Sequence, residues 1–348
     1  MSSIDLSPII RIGLLADTHL GFDDPEHPRV QRRRRGDDFF RNFQQILDEC
    51  LTQEVHVLVH GGDVFYRSRI PESLSARVYE RLLPLAEAGI QILLVPGNHE
   101  RSKLPASPLF HHPNVLVFDR PRTTVLALEG LEVAFGGFPF LRSIGGRSFP
   151  AALAATELME TSADLKILCM HQAVDGAVVG PRHFMFRKGR EVIGRDQFPA
   201  VVDLVLSGHI HRRQTLQTAD GRLIVYPGSI ERTSIAEWEE TKGYAFIEID
   251  PALEWDSCIS VKFRDLYARP MIPVQVPLEL MEAKDIREFL QSQSVSWPLD
   301  AVVRVRLDHQ EQRHLLSNAD LRSWFPYSMN VDLSIPRQSG HGRYRRTD

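Results

Sequence analysis

The sequence predicts an α/β layered protein with a small α+β unit behind it. Two observations carry that expectation. Short runs rich in Val, Ile and Leu alternate with amphipathic helical stretches through the first third of the chain, the pattern of a sheet covered by helices. At 348 residues the chain has room for about two domains, and its texture changes near residue 265.

Taken in order, Ile9 to Ala16 reads as a buried strand. Asp38 to Gln53 reads as a helix, with Phe39, Phe40, Phe43, Ile46, Leu47 and Leu51 on one broad face. Val55 to His60 is a strand. Glu72 to Ala88 is a helix, with Leu74, Val78, Leu82 and Leu85 on its apolar face and a kink expected at Pro84. Ile90 to Val95 is a strand. Val115 to Phe118, Thr124 to Leu128 and Leu131 to Phe135 read as short antiparallel strands. Leu165 to Met170, Leu204 to Ser207 and Leu223 to Tyr226 read as buried strands. Tyr244 to Ile249 and Cys258 to Phe263 read as a further antiparallel pair. Arg269 to Pro273 reads as a linker or strand entry. After it come a strand at Val274 to Val276, a helix at Ala283 to Gln293, a strand at Val302 to Leu307, a short helix at Ala319 to Trp324 and a strand at Asn330 to Ile335. The expected division is a domain over 1–264, a small domain over 265–335 and a disordered basic tail over 336–348.

Composition excludes several classes. With 43% hydrophobic and 25% charged residues, the chain is neither a disordered tail nor a collagen-like repeat. No apolar run approaches the ~20 residues that span a bilayer, so no membrane partner is expected. The three cysteines are scattered and the N-terminus lacks a signal peptide, which points to a reducing, cytoplasmic compartment. The net charge of -4 requires any nucleic-acid partner to meet a local basic patch. One such patch is present: Arg29, Arg32, Arg33, Arg34 and Arg35.

The chemistry lies where the strands end. Ile9 to Ala16 runs into Asp17-Thr18-His19, and Val55 to His60 into Gly61-Gly62-Asp63. Ile90 to Val95 runs into Pro96-Gly97-Asn98-His99-Glu100. Leu165 to Met170 runs into His171, and Leu204 to Ser207 into Gly208-His209-Ile210-His211. In open α/β sheets this edge carries the active site. Two Asp, one Asn and five His form a donor set suited to two divalent metals sharing one carboxylate. Mixed oxygen and imidazole donors favour Mn, Fe or Zn over Mg or Ca. The other nine histidines fall in no motif, and His60 is expected to be structural.

These pieces, in this order, make the sequence resemble the calcineurin-like metallophosphoesterase superfamily. The resemblance implies a four-layer α/β/β/α sandwich. It implies that Asp17, His19, Asp63 and His211 hold one metal, and that Asp63, Asn98, His171 and His209 hold the other, with Asp63 bridging. It implies a bridging hydroxide that attacks phosphorus, and a His99 that contacts the phosphoester and assists the leaving group. Finer features narrow the resemblance: Asp17 to Phe22 followed by the Arg-rich loop, Gly62-Asp63-Val64-Phe65, Tyr226 to Arg232, and Lys242-Gly243-Tyr244. They are similar to the SbcD family, the nuclease subunit of DNA double-strand-break repair complexes. That likeness implies Mn2+ as the metal, DNA as substrate, a DNA-binding cap over 265–335, an SbcC-type coiled-coil ATPase as partner, and a homodimer. Where many members carry a His three residues after the bridging Asp, this chain carries Tyr66. Tyr66, Arg32, Arg33, Arg34 and Arg35 are candidate substrate contacts, and Arg304 and Arg306 share one face of a cap strand. The alternatives are a phosphodiesterase for a small nucleotide or other phosphoester, and a non-catalytic DNA-binding repair protein.

Overall fold

The computed structural model describes residues 9–23, 35–307, 312 and 314–334. Arg29, Arg32, Arg33, Arg34 and the tail over 336–348 lie outside the described residues. The chain divides into two compact units.

The larger unit is built on two six-stranded sheets. The first contains β1 (Ile10–Leu15), β2 (Val57–His60), β3 (Gln91–Leu94) and β4 (Val115–Val117), mutually parallel. Strands Gly243–Ile249 and Ile259–Asp265 extend it antiparallel beyond β1. The second contains β5 (Arg122–Leu128), β6 (Leu131–Gly137) and β7 (Leu165–His171), followed by Leu204–Gly208, Leu223–Tyr226 and the edge strand Gln214–Gln217.

Burial explains the layers. β1 and β2 turn Ile10, Ile12, Leu14, Val57 and Val59 inward against Val133, Phe135, Ile167, Leu204 and Leu206 of the other sheet. The outer face of the first sheet is covered by α1 (Gly36–Thr52) and α2 (Glu72–Glu87), through Phe39, Phe43, Ile46, Val78 and Leu82. The outer face of the second is covered by α3 (Ser148–Ala154) and neighbouring loops, through Phe149, Leu153 and Phe198. The result is the α/β/β/α sandwich the resemblance implies. α1 starts with Asp37 and Asp38 in its first turn, where acidic side chains offset the positive helix end. The helix containing Pro84 runs on to Glu87.

Two strand readings are corrected. Val115 to Val117 is not an antiparallel hairpin strand; it pairs in parallel with β3. Leu131 to Gly137 pairs antiparallel with β5, but also in parallel with β7. Its C-terminal end therefore points the same way as that of β7.

The smaller unit has its own core. Strands Met271–Gln275, Val302–Arg306 and Asn330–Ser334 form a parallel three-stranded sheet. Val303, Val305 and Val331 pack with Ile286 and Leu290 of helix Ala283–Ser294 and with Leu321 of helix Asn318–Trp324. The second helix opens with a capping box, in which Ser317 and Asp320 satisfy each other's backbone N–H. Met271 to Pro273 belongs to the first strand, so of the two readings of this stretch the strand entry holds and the linker does not. Arg269 is buried there, donating to Asn330. No helix among the described residues is long and apolar enough to cross a membrane.

Candidate metal centre

Each candidate ligand sits just beyond the C-terminal end of a parallel strand. Asp17 and His19 follow β1, Asp63 follows β2 and Asn98 follows β3. His171 closes β7, and His209 and His211 follow Leu204–Gly208. The loops are stitched together by main-chain bonds: Asp17 N–H donates to the Gly62 carbonyl (2.9 Å) and His19 N–H to the Asp63 carbonyl (3.0 Å). Backbone strain is concentrated here. Asp17, His19, Asp63 and His209 all adopt left-handed conformations (φ +51°, +43°, +54° and +84°), unusual for residues with a Cβ.

The side chains converge. Asp17, His19 and His211 offer ligand atoms within 4.8 Å of one another. So do His19, Asp63 and His99, and so do Asp17, Asp63 and His171. His19 Nε2 and His211 Nε2 face each other at 3.0 Å. Asn98 Oδ1 lies 3.0 Å from His171 Nε2 and 2.9 Å from His209 Nδ1. Asp17, His19 and Asp63 each belong to two of the three groupings, so the three clusters are contiguous. Asp17, His19, Asp63 and His171 are almost fully buried. Two buried carboxylates beside several imidazoles are a donor set that fits divalent cations.

Tautomers are set from behind. His171 Nδ1 donates to the Gly61 carbonyl at 2.7 Å, which leaves Nε2 to carry the lone pair in the neutral ring. His99 Nδ1 donates to the Tyr66 carbonyl at 2.6 Å, and its Nε2 lies 3.9 Å from Asp63 Oδ2. The main chain of Tyr66, not its hydroxyl, thus orients His99. The Tyr66 ring sits edge-on to His19 and tilted against His99, with centroids 6.1 and 5.6 Å away.

The metal-free electrostatics are those of a proton-holding site. Burial pushes the Asp17 carboxyl up to about 6, against the attraction of His171 and His211. Burial also works against ionised Asp63, but His171, His19 and His99 outweigh it and hold that carboxyl well below the usual range. Burial lowers His171, yet Asp63 and Asp17 overcome this and raise it to about 9. His209 falls to about 3 through burial and the neighbouring His171 charge. A raised histidine stabilises the metal-free fold fully below its ordinary value of 6.5, and that contribution is lost as pH rises through about 9. A cation must displace the His171 proton. Metal affinity is therefore expected to rise with pH up to about 9, with about one proton released near neutrality as the position served by His171 is filled. Calorimetry in buffers of different ionisation enthalpy measures that proton; no release would contradict the assignment of His171 as a ligand.

Two supporting residues escaped the sequence reading. Glu100, buried, accepts the Phe65 N–H (2.6 Å) and the Gly97 N–H (2.8 Å), clamping the β2 and β3 loops together. Its place as the last residue of Gly-Asn-His-Glu was the available signal. Phe140 stands against His171 and His209, with ring centroids 6.0 and 5.6 Å away. It follows β6, whose parallel pairing the sequence did not reveal. His60, expected to be structural, is buried and bonds to Thr18 Oγ1 at 3.0 Å and to the Gly62 N–H at 3.2 Å.

Arg35 is not placed for the substrate contact expected of it. It is 4% exposed, donates to the Arg232 carbonyl at 2.8 Å and pairs with buried Glu231 at 3.4 Å. Arg35→Ala would leave Glu231 without this cation, and is expected to cost about 3–5 kcal/mol. Thermal unfolding would show the loss. A wild-type melting curve with weakened DNA binding would instead restore the contact role.

Comparison with known proteins gives the family and several relatives. The sequence profile of the calcineurin-like phosphoesterase family matches residues 10–213. A DNA double-strand break repair protein Mre11 from Methanopyrus kandleri is 26% identical over 246 residues, 67% of this chain and 51% of that protein. One from Saccharolobus solfataricus is 25% identical over 243 residues, 68% of this chain and 58% of that protein. The chain thus spans little more than half the length of these relatives. A dimetal phosphatase from Danio rerio aligns with a TM-score of 0.44 at 13% identity, over 74% of this chain and 96% of that one.

Proposed function

Because the chain belongs to the calcineurin-like phosphoesterase family, we propose that it is a two-metal phosphodiesterase that cleaves DNA, as an SbcD-like nuclease of DNA repair. The observation that carries the reading is the convergence of seven donors from five separate strand ends, with His99 beside them. Asp17, His19, Asp63 and His211 would hold one ion. Asp63, Asn98, His171 and His209 would hold the other. Manganese suits this mixture of imidazole and oxygen donors, as iron and zinc also do. Bound cations supply an activated water near neutral pH and neutralise charge on the phosphate.

The chain's own residues do the rest. Asp63 accepts the His99 N–H at 2.8 Å through one oxygen, which holds the shared carboxylate in place. His99, oriented by the Tyr66 carbonyl, would protonate or stabilise the departing oxygen as an imidazolium. Tyr66 can offer its hydroxyl to a phosphate but cannot supply an imidazole. DNA as the substrate rests on the relatives, which are named as DNA double-strand break repair proteins. On this reading residues 1–264 carry the chemistry and 265–335 act as a DNA-binding cap. An SbcC-type ATPase partner and a homodimer belong to the same proposal.

The test is an assay on single-stranded ends and hairpins with added Mn2+. Cleavage that a chelator abolishes and Mn2+ restores is the expected result. Tyr66→His is expected to raise exonuclease turnover by about tenfold or more. Rapid turnover of a small diester with no DNA binding at low salt would overturn the choice of substrate. No cleavage with Mn2+, Fe2+ or Zn2+ would overturn the enzyme reading.

A further inference from the structure

A cleft of about 600 Å³ opens beside the second half of the metal centre. Asn98 and His209 line it, together with Arg101, Phe140, Arg142 and Glu191. That volume lies in the range of sites that enclose one small ligand. Arg101, Arg142 and Glu191 are exposed, and neither arginine forms an ion pair among the described residues. Two arginines and one carboxylate line one cleft beside the candidate metal ligands, so its charge is net positive and suits an anionic ligand.

The walls are built, not incidental. Arg101 and Ser102 both hold left-handed backbone (φ +54° and +64°), strain that persists only where surroundings enforce it. The enforcing bonds are visible. Arg101 N–H donates to the Asn98 carbonyl (3.1 Å) and Ser102 N–H to the Gly97 carbonyl (2.9 Å). Ser102 Oγ donates to the Phe140 carbonyl (2.6 Å), and Phe140 N–H to the Pro96 carbonyl (2.9 Å). The turn carrying Arg101 and the loop carrying Phe140 and Arg142 are therefore locked together against the ligand-bearing strand ends.

We infer that this cleft binds the nucleotide next to the scissile phosphodiester in a single DNA strand. The inference rests on the phosphodiesterase reading above. Arg101 and Arg142 take the flanking phosphate, which a guanidinium pair can grip with directed hydrogen bonds. Phe140, half-buried against His171 and His209, offers a ring edge and face for an unstacked base. Glu191 can only accept hydrogen bonds when ionised, so it faces the N–H groups of the base edge and not the phosphate. A duplex keeps its bases stacked and would leave this aromatic wall unused.

The test compares two substrates with Mn2+ present: an oligothymidylate, and bis(4-nitrophenyl) phosphate, which has no flanking phosphate. The Arg101→Ala/Arg142→Ala double variant is expected to raise KM for the oligothymidylate by about 10–100-fold with kcat nearly unchanged. The dependence of log binding on log salt should flatten by about 0.7, the share of one phosphate in a single strand. Kinetics on the small diester should stay within about twofold of wild type, as should the melting temperature. Arg101→Lys/Arg142→Lys should fall between, keeping charge but losing the fork. An unchanged KM and salt slope for the oligothymidylate would overturn the inference. So would equal losses on both substrates, which would mean damage to the metal centre. If wild type cleaved neither substrate, the phosphodiesterase reading would fail. Fluorescence anisotropy with the same labelled oligothymidylate would still decide whether the arginines bind DNA.

Discussion

His99→Ala is expected to slow DNA cleavage by about 10²–10⁴-fold while metal content stays at the wild-type level. The two halves of that outcome have separate causes. His99 touches Asp63 through its backbone: the main-chain N–H donates to Asp63 Oδ1 at 2.8 Å. Alanine keeps that bond, so the Asp63 carboxylate stays in place. What is lost is the imidazole, which the Tyr66 carbonyl holds through Nδ1 so that Nε2 is the atom left to act. A diester with a 4-nitrophenolate leaving group needs little protonation. Its hydrolysis should fall much less than that of DNA, whose leaving oxygen is a strong base. Metal content by elemental analysis, with kcat on both substrates, checks the claim. Equal losses on the two would make His99 a binding residue instead of a proton donor.

Gly97→Ala is the second large effect, and it works through the metals. A Cβ at Gly97 would lie 2.1 Å from Asp63 Oδ1 and 2.4 Å from Asp63 N. Both contacts are too short, and the obstructed atoms are a backbone nitrogen and the Asp63 carboxylate itself. Neither can swing aside as the end of a flexible side chain would. Asp63 must move, and displacement of about 1 Å at such a site costs about 10²-fold or more in rate. The expected result is loss of cleavage together with weakened metal binding by calorimetry. Circular dichroism separates loss of the site from loss of the fold, and the secondary-structure signal is expected to be retained. Gly97→Ala with full metal affinity would mean that Asp63 is not the shared ligand. Gly62 is constrained in the same way: it sits at φ +106°, and a Cβ there would meet His171 Nδ1 at 2.3 Å.

Most of the candidate metal centre is legible in the chain because its residues obey a local rule. A buried strand writes itself as a short apolar run, and a turn after it as Gly, Asp, Asn or His. Asp17, His19, Asp63, Asn98, His171, His209 and His211 all stand at that junction, and all are found at one edge of the two sheets. Arg35 shows the limit of the same reasoning. Its place in an arginine run suggested a solvated, substrate-facing side chain. Its partner Glu231 lies far along the chain, and nothing near Arg35 in sequence announces a buried ion pair. Leu131 to Gly137 shows it again. Alternation marked it as a strand, but its parallel pairing with β7 decides that Phe140 and Arg142 reach the metal edge.

By itself, the sequence determined which side chains could serve as ligands, their order, and the strands that deliver them, because apolar periodicity and turn chemistry act over a few residues. Tertiary structure alone decided which of those side chains meet. It placed the Gly61 and Tyr66 carbonyls behind His171 and His99 to choose their tautomers, buried Arg35, and joined Arg101 to Arg142 across one cleft. These are contacts between strand ends and loops far apart in the chain. Their geometry depends on sheet order and on which face each strand buries, and no short stretch of residues encodes either.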